Sequence, residues 1–332
     1  MRTHAAPSAG RRAAVRTLAG AALALAAAAV QAQAGYPDKP ITLVVPNAAG
    51  GAADNLARSM AEELARRLGQ PVVVENTGGA SGAIGAMRVL RSAPDGYTLL
   101  FGTTSDMVVT PIANRSAGYT VRDFTPIAKV GVTPMTLVAR PGLGVASLDQ
   151  LVALARRKPN SLSVGTTGTA SLQAFAAVAL QRAAGIDLLG VPYKGGAPLL
   201  NDLLGGQLDL GVLTLPAALA QARAGKLTVL GVLAERRPAS APELPTVNES
   251  QTAKGVVVEI WAAIAGPANL PAAVVDRLAK ALQAVLSDAE FTERRARLGD
   301  IAVPWQPPAE FGRFLAAEDE RYRVLATGLK LE

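Results

Sequence analysis

A short apolar run, a glycine-rich turn and a helix follow one another twice near the start of the chain, and this pattern constrains the fold more than any other feature. The first unit has the β-branched run Ile41–Val45, a turn at 47–51 and a helix predicted over 54–68, where leucine or methionine recurs every four residues. The second has a strand at 72–75 and a turn at 78–82 that leads into another helix. Alternation of this kind is typical of an α/β protein with a doubly wound, mostly parallel sheet.

The middle of the chain begins a second set of such units. It comprises a helix at 147–157, a strand at 162–164, a turn at 165–171 and a helix at 172–184. With 332 residues the chain is long enough for two domains of ordinary size. We therefore predict two lobes, each a mostly parallel sheet flanked by helices.

The last two predicted helices, at 271–286 and 308–326, lack enough strands to form a domain of their own. We expect them to pack on the first lobe, which then consists of residues 35–131 and 259–332, while the second lobe consists of residues 132–258. The chain would cross between the lobes twice. Paired crossings form a hinge, and a ligand site is expected at the interface between the lobes.

Residues 1–34 have the composition of an export signal. Four arginines precede an apolar run at 18–30, and Ala32-Gln33-Ala34 then supplies the small residues that signal peptidase requires. We predict cleavage after Ala34. The apolar run is shorter than the roughly 20 residues of a membrane-spanning helix, so we expect a soluble periplasmic protein.

The charged and reactive residues exclude several function classes. Residues 1–34 hold four of the 33 basic residues and none of the 26 acidic ones, so the mature chain carries a net charge of about +3 and has no long basic run that would indicate nucleic-acid binding. Its only histidine, His4, lies in the signal, and the chain has no cysteine. Catalytic triads, cysteine nucleophiles, the usual zinc sites, disulfides and lipidation at an N-terminal cysteine are thereby excluded. We predict a protein that is not an enzyme and has no metal or cofactor.

Ligands of open α/β sheets bind at the carboxyl ends of the strands, and in this chain those positions carry turns rich in Gly, Ser and Thr. Small residues allow the backbone to approach a ligand closely, and the first N–H groups of a helix have no partner within the helix. These groups can donate to an anion, which the helix dipole also favours. A carboxylate can therefore be held without an arginine.

Five such turns supply the predicted ligand-binding residues, three from the first lobe and two from the second. The predicted residues are Asn47, Ala48, Ala49, Gly50, Gly51, Gly79, Ala80, Ser81, Gly82, Thr103, Thr104, Thr166, Gly168, Thr169, Ala170, Ser171, Tyr193, Lys194 and Gly195. Lys194 is the candidate cation for the distal group of the ligand, with a solvated loop charge as the alternative. For Asp54, whose charge would repel an anion, we expect a helix-capping role.

Nine short segments carry a family resemblance. They are 36–41, 45–51 with Asp54 and Arg58, 74–76, 79–85, 94–98, 123–126, 191–195, 205–207 and 244–246. In their order and spacing they resemble the tripartite tricarboxylate transporter substrate-binding family, also called the Bordetella uptake gene family. The resemblance covers about residues 36–332.

This resemblance implies a periplasmic binding protein of the Venus-flytrap type, which captures a small carboxylate between its lobes and delivers it to a tripartite membrane permease. It implies that the turns at 47–51 and 79–82, with bridging waters, hold one carboxyl group. Residues 166–171 and 193–195 of the second lobe would select the remainder of the ligand. The expected partners are the carboxylate and the permease subunits, and the protein is expected to be a monomer.

Two other functions fit parts of the pattern. A nucleotide-dependent enzyme also uses strand, glycine-rich turn and helix, but neither turn has the G-x-G-x-x-G spacing: the first reads Asn47-Ala-Ala-Gly-Gly51, and the second has glycines at 79, 82 and 85. A sensor that presents its ligand to a membrane receptor kinase would have the same fold. The sequence does not distinguish such a sensor from a transport protein.

Overall fold

The computed structural model describes residues 35–47, 49–168, 171–193, 195–297, 301 and 303–327, so the predicted export signal lies outside it. The strands are β1 (Ile41–Val45), β2 (Val72–Asn76), β3 (Thr98–Thr103), β4 (Phe124–Ala139), β5 (Ser163–Thr166), β6 (Leu189–Pro192), β7 (Leu210–Thr214), β8 (Thr228–Val232) and β9 (Glu259–Pro267). The α-helices are α1 (Ala52–Leu68), α2 (Ala83–Leu90), α3 (Thr110–Ala113), α4 (Leu148–Arg157), α5 (Leu172–Ala184), α6 (Gly196–Leu204), α7 (Leu215–Arg223), α8 (Ala272–Leu286), α9 (Ala289–Arg297) and α10 (Pro308–Ala326). Within the described ranges, none of the helices is long and apolar enough to cross a membrane.

The strands form one mixed sheet in the order β2-β1-β3-β9-β4-β7-β5-β6, and β8 also pairs with β4. The pairs β1–β2, β1–β3, β5–β6 and β5–β7 are parallel, as the alternation of strands and helices predicts. The pairs that involve β4 or β9 are antiparallel. The predicted α/β architecture is confirmed, and the antiparallel pairs lie where the two groups of parallel strands meet.

Strand β4 passes from one group of strands to the other. From Phe124 to Pro134 it pairs with β9, and from Met135 to Ala139 it pairs with β7. Strands β1 to β3 and β9 thus belong with the first part of β4, in the first lobe, and β5 to β8 belong with the remainder, in the second. The predicted limit between residues 131 and 132 falls within β4, and the division of the chain at that limit remains a prediction.

Helix α1 shows how the sequence determines an element. Its residues Met60, Leu64 and Leu68 are buried on one face, as their spacing predicts. The helix ends where Gly69 adopts a φ of 73° and donates its N–H to the carbonyl oxygen of Ala65 at 3.0 Å. Only glycine adopts this conformation readily, so Gly69 terminates the helix.

The C-terminal helix α10 contacts both lobes. Phe311 and Phe314 pack edge-on against Trp261 of β9, with ring centroids 6.2 and 5.9 Å apart. Tyr322 packs against Phe175 of α5, with centroids 5.6 Å apart. The sequence predicts that this helix packs on the first lobe. Because it has 19 residues and is about 28 Å long, it reaches Phe175 of the second lobe as well.

Candidate ligand-binding cleft

A cavity of about 620 Å³ lies between the two lobes, and we call it the cleft. Its described lining residues come from four segments of the first lobe and from the turn before α5 in the second. They are Pro46, Asn47, Gly78, Gly79, Ser81, Gly82, Ser105, Val109, Thr110, Thr167, Gly168, Ser171, Leu172, Gln173 and Ile260. The volume is typical of small-molecule sites. Because every described lining residue is uncharged, backbone and hydroxyl dipoles determine which ligand the cleft favours.

The turn before α2 has an unusual backbone conformation. Ala80, Ser81 and Gly82 have φ angles of 48°, 54° and 93°, in a region that L-residues rarely adopt. A Cβ atom at Gly82 would lie 2.6 Å from the Cβ atom of Asp106, so the turn packs tightly there. The N–H of Gly82 donates to the carbonyl oxygen of Gly79 at 3.0 Å, whereas the N–H of Ser81 has no partner in the described part of the chain. The turn thus brings an unpartnered donor to a residue that lines the cleft.

The second lobe contributes the start of α5. Ser171 caps this helix: its Oγ accepts the N–H of Ala174 at 3.2 Å and donates to the carbonyl oxygen of Gly168 at 3.0 Å. The N–H groups of Leu172 and Gln173, the first two of the helix, have no partner among the residues that the structure describes. Both residues line the cleft, next to the positive end of the helix dipole.

Asp54 organises the turn at 47–51 from within the protein. Its side chain is 2% exposed, and Oδ2 accepts the N–H of Gly50 at 2.8 Å and the Nε–H of Arg58 at 3.0 Å. Its Oδ1 accepts from Nδ2 of Asn76 at 3.0 Å, and the same Nδ2 donates to the carbonyl oxygen of Asn47 at 3.2 Å. The Gly50 bond, followed by the Arg58 bond, lowers the pKa of Asp54 to about 2. Asp54 therefore holds the turn that precedes α1, whereas we had expected it to cap the helix itself.

Four of the residues predicted in the first lobe line the cleft: Asn47, Gly79, Ser81 and Gly82. The predicted residues of this lobe that do not line it are Ala49, Gly50, Gly51, Ala80, Thr103 and Thr104, and Ala48 lies outside the described residues. Thr104 is buried: its hydroxyl accepts the N–H of Trp261 at 2.9 Å and donates to the carbonyl oxygen of Glu259 at 3.2 Å. It connects β3 to β9 and has no contact with the cleft.

Thr103 supports the cleft through the buried carboxylate of Asp106. The backbone N–H and the hydroxyl of Thr103 donate to this carboxylate at 2.9 and 2.6 Å. Burial raises the pKa of Asp106 to about 7, and the two hydrogen bonds oppose that rise. Because Asp106 packs under Gly82, the pair forms part of the layer beneath the lining residues.

In the second lobe the structure brings Gly168 and Ser171 to the cleft but not Thr166, Tyr193 or Gly195. The hydroxyl of Thr166 donates to the carbonyl oxygen of Gly168 at 3.0 Å, which shapes the turn. The hydroxyl of Tyr193 donates to Oδ2 of Asp202 at 2.9 Å, which commits this side chain to a contact within its own lobe. The predicted residues Thr169, Ala170 and Lys194 lie outside the described residues.

Several lining residues were not predicted. They are Pro46, Val109, Thr110, Leu172, Gln173 and Ile260, together with Ser105, which follows the predicted Thr104, and with Gly78 and Thr167, which lie in predicted turns. The hydroxyl of Thr110 donates to the carbonyl oxygen of Ser81 at 2.8 Å and so connects α3 to the turn before α2. Leu172 and Gln173 follow an N-cap serine, a signal that the sequence does contain.

Comparison with known proteins identifies the family. The sequence profile of the tripartite tricarboxylate transporter family receptor matches residues 56–327. The chain belongs to this family. The receptor is 33% identical to BugT of Bordetella pertussis over 301 residues, which make up 90% of this chain and 92% of BugT. The family resemblance predicted from the sequence is confirmed.

Solved structures of similar proteins share the receptor's fold. Rpa4515 of R. palustris with adipate matches with a TM-score of 0.77 and 31% identity, covering 89% of this chain and 99% of that one. The periplasmic binding protein BugD matches with a TM-score of 0.73 and 36% identity, covering 90% and 99%. MatC from Rhodopseudomonas palustris with bound malate matches with a TM-score of 0.73 and 29% identity, covering 87% and 99%.

These comparisons confirm the predicted periplasmic-binding-protein fold. The family consists of periplasmic solute-binding receptors. The receptor is accordingly a solute-binding protein and not an enzyme.

Proposed function

We propose that the receptor captures a small carboxylate in the cleft and delivers it to the membrane subunits of a tripartite transporter. The proposal includes export by residues 1–34, action as a monomer, and closure of the first lobe (35–131 and 259–332) and the second lobe (132–258) around the ligand. One observation carries it: the described lining residues are uncharged, while both lobes contribute lining residues with unpartnered N–H groups.

An anion is the ligand that this lining favours. The N–H groups of Ser81, Leu172 and Gln173 are donors, and a donor that loses water without gaining an acceptor costs about 1–3 kcal/mol. An ionised carboxylate has about four acceptor sites and no donor, so it matches a surface of donors. A cation would find no carboxylate among the described lining residues. The dipole of α5 also favours negative charge at this end of the helix.

The structural neighbours support carboxylates of moderate size, because adipate and malate are both dicarboxylates. We assign one acid group to the first-lobe turns and the other to the start of α5, with Lys194 as a further candidate cation. The proposed contact residues that line the cleft are Asn47, Gly79, Ser81, Gly82, Thr110, Gly168, Ser171, Leu172 and Gln173.

Native mass spectrometry of the freshly purified protein, followed by calorimetry, tests the proposal. The titrants are malate, adipate, citrate and aspartate, with a neutral sugar and a cationic diamine for comparison. We expect one molecule of at least one carboxylate per chain, and a stabilisation of about 2.7 kcal/mol at a ligand concentration 100 times Kd. Tight binding of the sugar or the diamine, with no binding of any acid, would contradict the proposal.

A charge substitution with a matched control locates the site. Gln173→Glu places a negative charge in the cleft with little change of shape, and we expect it to weaken binding of the acid at least tenfold, about 1.4 kcal/mol. Gln207→Glu adds the same charge on an exposed loop, and we expect the Kd to stay within twofold of the wild type. Equal effects of the two substitutions would place the ligand elsewhere.

A further inference from the structure

A second cavity, of about 360 Å³, adjoins the cleft, and we call it the side chamber. The two cavities share Asn47, Ser105 and Ile260 as lining residues. The apolar residues that line the side chamber are Ala53, Leu56, Val132, Pro216, Ile260 and Ala262.

The side chamber lies on the cleft side of β9. Successive residues of a strand face opposite sides of the sheet, and Ile260 lines the side chamber while its neighbours Glu259 and Trp261 line a separate cavity on the reverse side. Leu56 belongs to α1 in the first lobe, and Pro216 belongs to α7 in the second. A molecule in the side chamber therefore contacts both lobes, as a ligand in the cleft does.

The two cavities provide different surfaces to a ligand. The cleft has N–H groups without a partner among the described residues, such as those of Ser81 and Gln173. In the side chamber the carbon surface of six apolar residues predominates over the polar groups of residues such as Asn55, Ser59 and Thr214. Arg295 is the only charged residue among the described residues that line the side chamber. It is 2% exposed and donates to the carbonyl oxygen of Val130, so it forms part of the wall. Together the cavities fit a molecule that is polar at one end and apolar at the other.

We propose that the side chamber holds the apolar body of a carboxylate whose acid group lies in the cleft. The ligand class is an amphiphilic carboxylate, with an acid group at one end of an alkyl chain. This inference rests on the proposed function, because it takes the acid group to be bound in the cleft. Asn47, Ser105 and Ile260 line both cavities, so in this inference the alkyl chain passes beside them from the cleft into the side chamber.

A homologous series of straight-chain acids tests the inference on the wild-type protein. Calorimetric titrations use butanoate, hexanoate and octanoate, with malate as a short reference acid. Each methylene group that leaves water contributes about 0.8 kcal/mol, so affinity rises about fourfold for each one that enters the side chamber. We expect the Kd to fall at least tenfold from butanoate to octanoate. An affinity that is constant or decreases along the series would overturn the inference.

Variants of Leu56 test the location of the chain. We expect Leu56→Trp, which places a larger side chain in the side chamber, to weaken octanoate binding at least tenfold and to leave the Kd for malate within twofold. Leu189→Trp is the matched control, because Leu189 is 56% exposed on strand β6, away from both cavities. Leu56→Asp is the second variant, should the tryptophan prevent folding; its charge should exclude the alkyl chain equally well.

The outcomes separate this inference from the proposed function. Failure of malate, adipate and every other acid to bind would overturn both. Binding of malate or adipate, combined with an octanoate affinity that neither chain length nor the Leu56 variants change, would overturn the side-chamber assignment alone.

Discussion

The carboxylate of Asp54 accepts the backbone N–H of Gly50 at 2.8 Å and so fixes the turn that leads into α1. Asn76 extends this contact, because its Nδ2 donates both to Asp54 and to the carbonyl oxygen of Asn47, which lines the cleft. The N–H and guanidinium donors around Asp54 therefore stabilise its buried negative charge, although it lies near a proposed anion site.

Replacing Asp54 by Asn removes one strong acceptor from this network. We expect Asp54→Asn to lower the free energy of unfolding by about 1–3 kcal/mol at pH 7, because one of three donors loses its partner. The wild-type pKa of about 2 lies below the unfolded value near 4, so this stabilisation is present above pH 4 and is lost as the pH falls towards 2. Urea denaturation at several pH values measures both effects. Asp95→Asn, at an exposed carboxylate that accepts one N–H, is the control; equal losses for the two variants would contradict the role of Asp54.

Gly85 of α2 packs closely against the backbone at Pro46 and Thr77, so a larger side chain there should lower stability. A Cβ atom there would lie 2.6 Å from the carbonyl oxygen of Thr77 and 2.9 Å from the Cα atom of Pro46, which lines the cleft. We expect Gly85→Ala to cost about 1–3 kcal/mol and to weaken ligand binding. Gly312→Ala, on α10, is the control: the atom nearest to its new Cβ would be a side-chain carbon of Pro126 at 3.4 Å. We expect this variant to lose no stability and to gain up to about 1 kcal/mol. Thermal unfolding measures the stability of both variants, and calorimetry measures their affinity for the ligand. Wild-type stability and affinity in Gly85→Ala would contradict the proposed importance of this contact.

The hydroxyl of Thr110 is expected to affect binding more than stability. Thr110→Val keeps the side-chain shape but removes the hydrogen bond to the carbonyl oxygen of Ser81, so the turn that contributes the unpartnered N–H is less well held. We expect a loss of about 1 kcal/mol in stability and a Kd that rises several-fold. Thr292→Val removes a similar bond, to the carbonyl oxygen of Asp288, in α9. Thr292→Val should cost less stability, because the N–H of Thr292 still donates to that carbonyl oxygen, and it should leave the Kd unchanged. A similar loss of affinity in both variants would argue against the role of Thr110.

The buried carboxyl group of Asp106 should make the free energy of unfolding depend on pH with a sign opposite to the effect of Asp54. Burial raises its pKa to about 7, above the unfolded value near 4, so between these values the folded protein keeps a proton that the unfolded chain releases. Stability therefore falls as the pH rises from 4 to 7, by at most about 1.4 kcal/mol per pH unit. Burial also raises the pKa of the neighbouring Tyr119, whose phenol does not titrate in this window. Urea denaturation from pH 4 to 8 should show this slope in the wild type and its loss in Asp106→Asn; the same slope in both would contradict the assignment.

The sequence predicts most of the helices and the parallel strands, because their signals are local. The run Ile41–Val45 and the four-residue spacing in α1 are examples. Strand β4 is not among the strands that the sequence predicts; Pro126 and Pro134 lie within it, and proline interrupts the ladder of a sheet. The strand continues through Pro126 because its pairing with β9 shifts register there.

The residues of the cleft were predictable only in part, because only some of them have a local sequence signal. Its glycine-rich turns are visible in the sequence, and Asn47, Gly82 and Ser171 indeed line it. Thr110 and Ile260 reach the cleft only through the packing of distant segments, which no local pattern indicates. Conversely, Thr104 has the expected residue type and position but is buried by its bonds to β9.

A crystal structure of the receptor with bound adipate tests the central claim most directly. We expect a carboxylate oxygen within hydrogen-bonding distance of the N–H of Ser81 and the second acid group at the start of α5, with the lobes closed over the ligand. Adipate bound instead in the reverse cavity that Lys129 and Arg236 line, or on an outer surface, would contradict it.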